Sequence, residues 1–361
     1  MKRCIVRAVA GLLATAFLQP CAAHAISAEK AILLDGSTGR VIYEKNADSK
    51  SLIASTTKIM TALLVCEQCN VLDRVRIPRE AVGIEGSSMY LKEGEVLTIQ
   101  ELLYGLMLCS GNDAAVALAI YCGGTVEGFA QLMNDKAHLL GLKNTHFVNP
   151  NGLDAPDHYS TARDLAVLAA YAMENPIFAR TVSAKSVKVG ERFLTNHNKL
   201  LWRFEGANGV KTGYTRAAGR ILVSGARRDG RQLIAVTINA PDDWQDHSAM
   251  LEKGFSGFQI VQILRKDDCL GIAEVAGGTA TSVELLAAED FSYALAQGEE
   301  ISVKLPSAGF VYAPVSEGQH AGYAHIFVDH SPVGKVPLCY GTAVERTQES
   351  PKTWLDKLLR R

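Results

Sequence analysis

Ser55 and Lys58 are residues of this 361-residue chain whose types and spacing could do chemistry. They bracket Ser55-Thr56-Thr57-Lys58, at the head of an apolar run from Ile59 to Val65 that reads as a buried helix. On a helix, residues three apart share a face about one turn apart. A lysine amine so placed can take the proton of the serine hydroxyl, and Ser55 can then attack a carbonyl carbon. The spacing alone does not decide, because Ser27 and Lys30 repeat it. Two further motifs set Ser55 apart. Ser110-Gly111-Asn112 and Lys211-Thr212-Gly213 follow it in order. Read singly, Ser110 serves equally well as a helix N-cap. Lys211 reads as a solvated lysine, and Thr212-Gly213 as strand and bulge.

The elements that must position these residues are legible from their periods. Ala31–Leu34, a Gly36-Ser37-Thr38-Gly39 turn and Val41–Tyr43 form a β-hairpin ahead of the Ser55 helix. Residues 75–100 read as short strands and turns. A helix from Ile99 to Leu108 stops at Ser110-Gly111-Asn112. Two more run over about 114–121 and 126–140, the second closed by Gly141 as a C-cap. Phe147 to Asp154 is a turn-rich loop, and Thr161 caps a helix over 162–173. Lys211-Thr212-Gly213 then lies on a strand. It is followed by Ile221–Ser224, an Asp229-Gly230 hairpin turn and a return strand over 233–238. Strands at both ends of residues 26–257, with helices between, predict one antiparallel sheet built from distant segments and covered by helices. From about residue 265 to 345 the texture changes to short alternating strands between glycine and proline turns: a small all-β domain. The fold class is therefore α+β.

Length allows two or three domains, and a net charge of −1 gives no basic field for nucleic acid. Residues 1–25 read as a signal peptide. Lys2, Arg3 and Arg7 precede an apolar stretch, Ala8 to Leu18, and Ala23-His24-Ala25 is the cleavage site. The expected location is outside the cytoplasm. Six of the eight cysteines lie beyond residue 25, and their pairing is not deducible from spacing. Cys66 and Cys69 lack the four ligands of a structural zinc site and read as small buried apolar residues. No metal or cofactor is called for.

The three motifs match the set of class A β-lactamases and penicillin-binding proteins, with Gly111 where that set has aspartate. Together with Gly86 to Leu91, Phe147 to Asp154 and Ala240 to Trp244, they make the chain resemble the serine-type D-alanyl-D-alanine carboxypeptidases. These are the low-molecular-mass penicillin-binding proteins. The resemblance covers nearly all of the chain after residue 25. It implies a β-lactamase/transpeptidase-like catalytic domain followed by the family's β-rich C-terminal domain. It implies as substrates peptidoglycan stem peptides ending in D-Ala-D-Ala, and covalent capture of β-lactam antibiotics. Ser55 would be the nucleophile, Lys58 its base and Ser110 the relay of a proton to the leaving amine. Asn112 would hold the substrate amide, and Lys211 and Thr212 the terminal carboxylate. Gly213 would let the substrate lie against the strand. The backbone N–H groups of Ser55 and Tyr214 would form the oxyanion hole. Lys58 must be neutral to act, and burial beside Lys211 should depress its pKa.

Three other functions share parts of this pattern. A class A β-lactamase needs a glutamate to prime water, and Phe147 to Asp154 contains none. A D,D-endopeptidase remains open, as does a non-catalytic wall-binding protein, which the intact motifs oppose. A last feature is the segment 350–361. On a helix, Trp354, Leu355, Leu358 and Leu359 would share one side, and Lys352, Asp356, Lys357, Arg360 and Arg361 the other, four positive charges against one negative. That pattern suits peripheral contact with an anionic membrane surface.

Overall fold

The computed structural model describes residues 25–306 and 310–347. They fall into two compact units that divide between Gly257 and Phe258. In the first, strands β1 (Lys30–Asp35) and β2 (Val41–Lys45) form the expected hairpin. A single tight turn, Ala54–Thr57, leads into helix α1 (Lys58–Gln68). A two-stranded ribbon of β3 (Arg74–Arg76) and β4 (Val96–Thr98) follows. Helices α2 (Ile99–Leu108), α3 (Asn112–Gly123) and α4 (Val126–Leu139) come next. Their starts are written in side chains. Thr98 and Glu101 form a capping box on α2, and Thr125 caps α4. Helix α5 (Ala162–Glu174) starts at Thr161 as the sequence indicates. Asn175 then caps α6 (Pro176–Ser183), with Pro176 in its first turn. Strands β5 (Ser186–Val189) and β6 (Arg192–Thr195) and the short helix α7 (Leu200–Arg203) complete the helical half.

Strands β7 (Ala207–Thr215), β8 (Gly219–Arg228) and β9 (Arg231–Ile238) then join the hairpin in one antiparallel sheet of order β2-β1-β9-β8-β7. Asp229 and Gly230 both take positive φ, 49° and 81°, as their turn between paired strands requires. Helix α8 (Asp243–Gly257) follows β9. The sheet is buried on both faces. Ile32, Val223, Ile234 and Val236 pack into the large core shared with α1 and α5, whereas Leu33, Leu233 and Ala235 pack on Met250 and Leu251 of α8. Alternation along β1 and β9 thus feeds two cores. No single helix among the described residues is long and apolar enough to cross a membrane.

The second unit begins earlier than residue 265, because β10 (Phe258–Leu264) already pairs with β13 (Phe291–Ala296). Strands β11 (Cys269–Ala276), β12 (Ser282–Ala287), β14 (Ile301–Lys304), β15 (Phe310–Tyr312), β16 (His320–Val328) and β17 (Ser331–Tyr340) form a six-stranded sheet of order β14-β16-β17-β12-β11-β15. It contains no helix among the described residues. Its cores are small clusters, such as Leu264, Ala324, Ile326, Val336 and Leu338.

The cysteine reading changes in one place. Cys69, read as a buried apolar residue, is joined to Cys122 by a disulfide between the ends of α1 and α3. Cys66 is buried and reduced, and burial pushes its thiol up to about 12.

Candidate active site

Lys58 is sealed inside this unit, with no exposed surface. Its Nζ lies 3.0 Å from Ser55 Oγ, 2.7 Å from Asn112 Oδ1 and 2.5 Å from the carbonyl oxygen of Asn151. Three segments far apart in sequence therefore meet on one amine. Burial, first, and the Lys211 cation, second, drive its pKa well below the ordinary lysine value. The direction agrees with the expectation from sequence.

The Ser55 turn is held from below. Thr57 Oγ1 and His158 Nε2 are 2.8 Å apart, and His158 Nδ1 accepts from the Val148 N–H at 3.0 Å. With Nδ1 accepting, the ring is the Nε2–H tautomer and donates to Thr57. Burial lowers its pKa to about 4, so it stays neutral. Thr61 donates to the Pro150 carbonyl at 2.6 Å. Gly152 has φ +87°, and a β-carbon there would collide with the Ala54 carbonyl. These contacts press the loop of residues 147–154 against α1 and aim the Asn151 carbonyl at Lys58. The side chain of Asn151 accepts from Leu153 N, which makes it a turn-former whose backbone does the positioning.

Ser110 sits just before α3 with φ +63°, and its buried Oγ has no hydrogen-bond partner among the described residues. It is not the N-cap of α3; Gly111 holds that position. The anchoring is done by Asp113, which the sequence reading passed over. Its carboxylate is 1% exposed and accepts from Met89 N, Leu91 N, Ala114 N and Ser88 Oγ, the last at 2.6 Å. An acid in the first turn of a helix was the available signal. Asn112 lies beneath this loop. Its Oδ1 accepts from Lys58 and its Nδ2 donates to the Glu85 carbonyl at 2.6 Å. The amide expected to hold substrate is thus committed first to holding Lys58.

Strand β7 forms the opposite wall. A β-carbon on Gly213 would lie 3.3 Å from Ser55 N, so only glycine lets the strand come so near the nucleophile without displacing it. Lys211, on β7, is a second buried lysine. It is 1% exposed, donates to the Thr212 carbonyl at 2.9 Å, and burial pulls its pKa down to about 7. The cleft beside Ser55, of about 610 Å³, is lined by Ser110, Thr212, Gly213 and Tyr214. Two further cationic residues line it: Lys199, and Arg220 on β8 opposite Tyr214, whose side chain is 45% exposed. One of its nitrogens donates to both oxygens of the buried Asp243 at 2.7 and 2.8 Å. His197 also lines the cleft; burial and then Lys211 lower its pKa.

The second Ser-x-x-Lys copy is disassembled. Ser27 Oγ donates to Asp246 at 2.8 Å, while Lys30 pairs with Glu29 at 2.8 Å.

A sheet-and-helix unit that brings Ser55, a depressed Lys58 and an unpartnered Ser110 to one cleft defines a serine peptidase of the acyl-enzyme type. Residues 17–242 match the D-alanyl-D-alanine carboxypeptidase family, peptidase S11, and the chain belongs to that family. Residues 258–346 match the C-terminal domain of penicillin-binding protein 5. The chain is 32% identical to D-alanyl-D-alanine carboxypeptidase DacF of Bacillus subtilis, over 86% of this chain and 84% of that protein. It is 33% identical to DacC of Escherichia coli, over 93% and 89%. Among solved structures, penicillin-binding protein 5 from Haemophilus influenzae superimposes with a TM-score of 0.79 at 28% identity, covering 91% of this chain and all of that one. The Streptomyces K15 DD-transpeptidase matches with a TM-score of 0.62 at 35% identity, covering 64% of this chain and 98% of its own.

Proposed function

We propose that this D-alanyl-D-alanine carboxypeptidase, a serine hydrolase of the penicillin-binding protein family, works through an acyl-enzyme on Ser55. The observation that carries the reading is the hydrogen-bond inventory of Lys58. A neutral amine has two N–H donors and one lone pair. Asn112 Oδ1 and the Asn151 carbonyl accept two donors, so the lone pair is left for the Ser55 hydroxyl. Lys58 takes that proton as Ser55 Oγ bonds to the penultimate carbonyl carbon of the stem peptide. The backbone N–H groups of Ser55 and Tyr214 would hold the oxyanion, a contribution of about 3 kcal/mol per donor. As the C–N bond breaks, Ser110 gives its proton to the departing amine and is reprotonated by the Lys58 ammonium, and the amine leaves as D-alanine. Water then hydrolyses the ester and returns free Ser55. Lys211 and Thr212 receive the terminal carboxylate, with Arg220 beside them on the cleft wall, and Asn112 positions Lys58 while offering its second N–H to the substrate amide. The same attack opens a β-lactam ring and leaves the drug attached, because no glutamate stands in residues 147–154 to prime water.

Export by residues 1–25 and membrane contact through residues 350–361 complete the proposal. Both segments lie outside the described residues apart from Ala25. The test is product analysis on a muramyl pentapeptide. Equimolar tetrapeptide and free D-alanine are expected. Cleavage of cross-linked dimers without release of D-alanine would replace this reading with an endopeptidase.

A further inference from the structure

Arg220 and Trp244 both line the cleft, and one carboxylate holds them. Asp243 is buried at the start of α8. Its oxygens accept from Arg220 Nη2 at 2.7 and 2.8 Å, and its Oδ1 also accepts from the Trp244 N–H at 2.9 Å. One turn on, Ser248 Oγ donates to the Trp244 carbonyl at 2.8 Å. The guanidinium and the indole therefore start from adjoining points of one buried anion. Both bonds from Arg220 use Nη2, so, among the described residues, Nε and Nη1 keep their N–H donors for a ligand.

Register ties this pair to the reacting end of the cleft. Arg220 lies opposite Tyr214, and Ile221 opposite Gly213 on the strand nearest Ser55. The α-carbon of a terminal amino acid carries its carboxylate and its side chain on adjacent bonds. With the carboxylate at Lys211 and Thr212 and Arg220 beside them, the side chain of the leaving residue falls to the wall that Ile221 and Trp244 supply. D-Alanine offers that wall one methyl group. The indole is half-buried, and a methyl covers little of it. The cleft, at about 610 Å³, is a full-sized ligand pocket. Its charged groups do not oppose a larger apolar side chain. Asp243 is paired, burial holds His197 toward its neutral form, and Lys199 and Arg220 suit a free carboxylate. An aromatic ring against the indole gains more than its buried area alone.

We propose that Trp244 is a specificity-determining residue that lets this enzyme remove aromatic and large apolar D-amino acids, as well as D-alanine, from the end of stem peptides. The inference rests on the carboxypeptidase reading and widens its leaving group. The bond broken is the same amide. Ser55 Oγ bonds to the carbonyl carbon of the penultimate D-alanine, Ser110 gives its proton to the departing amine, and the amine leaves as the larger D-amino acid. Water then releases the same tetrapeptide.

The experiment uses the full chain and two pentapeptides that share one tetrapeptide and end in D-alanine or D-phenylalanine. The released amino acid is quantified by chromatography. The unaltered chain should show kcat/KM on the D-phenylalanine peptide within about threefold of that on the D-alanine peptide. Trp244→Ala should lower the ratio of the two values about tenfold, the scale on which filling an apolar pocket discriminates substrates. Trp244→Phe should restore most of it. The ratio is independent of how much of a variant folds. Release of D-alanine without release of D-phenylalanine by the unaltered chain would overturn this inference alone, as would a ratio unmoved by Trp244→Ala. Release of neither amino acid would overturn the carboxypeptidase reading beneath it.

Discussion

Lys58 and Lys211 are two lysines sealed from solvent in one site, and burial pushes both toward the neutral form. The consequence for pH is specific. The cationic form of Lys211 lowers the pKa of Lys58, so removing that charge raises it. Lys211→Met should therefore move the acid limb of the kcat/KM profile to higher pH. It should also reduce activity on free-carboxylate peptides far more than on their C-terminal amides. Equal losses on both substrates would mean that Lys211 acts chiefly on Lys58. Arg220→Leu tests the second cation. A charge-assisted hydrogen bond contributes about 1.5–3 kcal/mol, so kcat/KM on the free carboxylate should fall about 10- to 100-fold while the amide changes little. The acid limb of the kcat/KM profile separates the two residues, because Lys211 lowers the pKa of Lys58 and Arg220 has no part in that shift. Ser55, Lys58, Ser110 and the strand bearing Lys211 were legible because chemistry demands fixed types at fixed spacing. Arg220, Asp243 and the Asn151 carbonyl were not, because their relevance is created by register across β7 and β8 and by the path of a loop.

At the scale of elements, the site depends on how helix starts are tied down. Asp113 holds α3 and the segment of residues 88–91 with one carboxylate. Asp113→Ala would leave several buried N–H groups unpaired, at an expected cost of about 2–4 kcal/mol. Thermal melting should show the loss, and penicillin labelling should slow as Asn112 loses its seat. An unchanged melting temperature would mean that the loop is held elsewhere. Helices α1 to α5 were readable from their apolar runs, with Thr161 marking the start of α5. Helix α6 and the β5–β6 ribbon escaped because residues 176–195 are short pieces with no sustained period. Helix α8 begins in Asp243-Trp244-Gln245-Asp246, whose polar opening masks the apolar stripe of Met250 and Leu251 on the sheet.

For the molecule as a whole, the residues of the cleft all lie before Gly257, and both large cores close within that unit. The Streptomyces K15 DD-transpeptidase corresponds to 64% of this chain and is covered almost completely. Residues 26–257 alone should therefore fold cooperatively and cleave soluble pentapeptide within about twofold of the longer chain. A tenfold loss would assign the β-rich unit a part in catalysis. That antiparallel sheet was foreseeable from strands at both ends of one domain. The β-rich unit was foreseeable from alternation, but its first strand was not, because Phe258 to Leu264 continues directly from α8 without a turn signal.

The central claim is that Ser55, with Lys58 as base, carries the acyl group. Intact-mass spectrometry after brief exposure to penicillin tests it most directly. One adduct of one penicillin mass is expected on the unaltered chain, mapping to the peptide containing Ser55, and none on Ser55→Ala. An adduct of the same mass persisting in Ser55→Ala would contradict the account and place the nucleophile elsewhere, with Ser110 the first residue to examine.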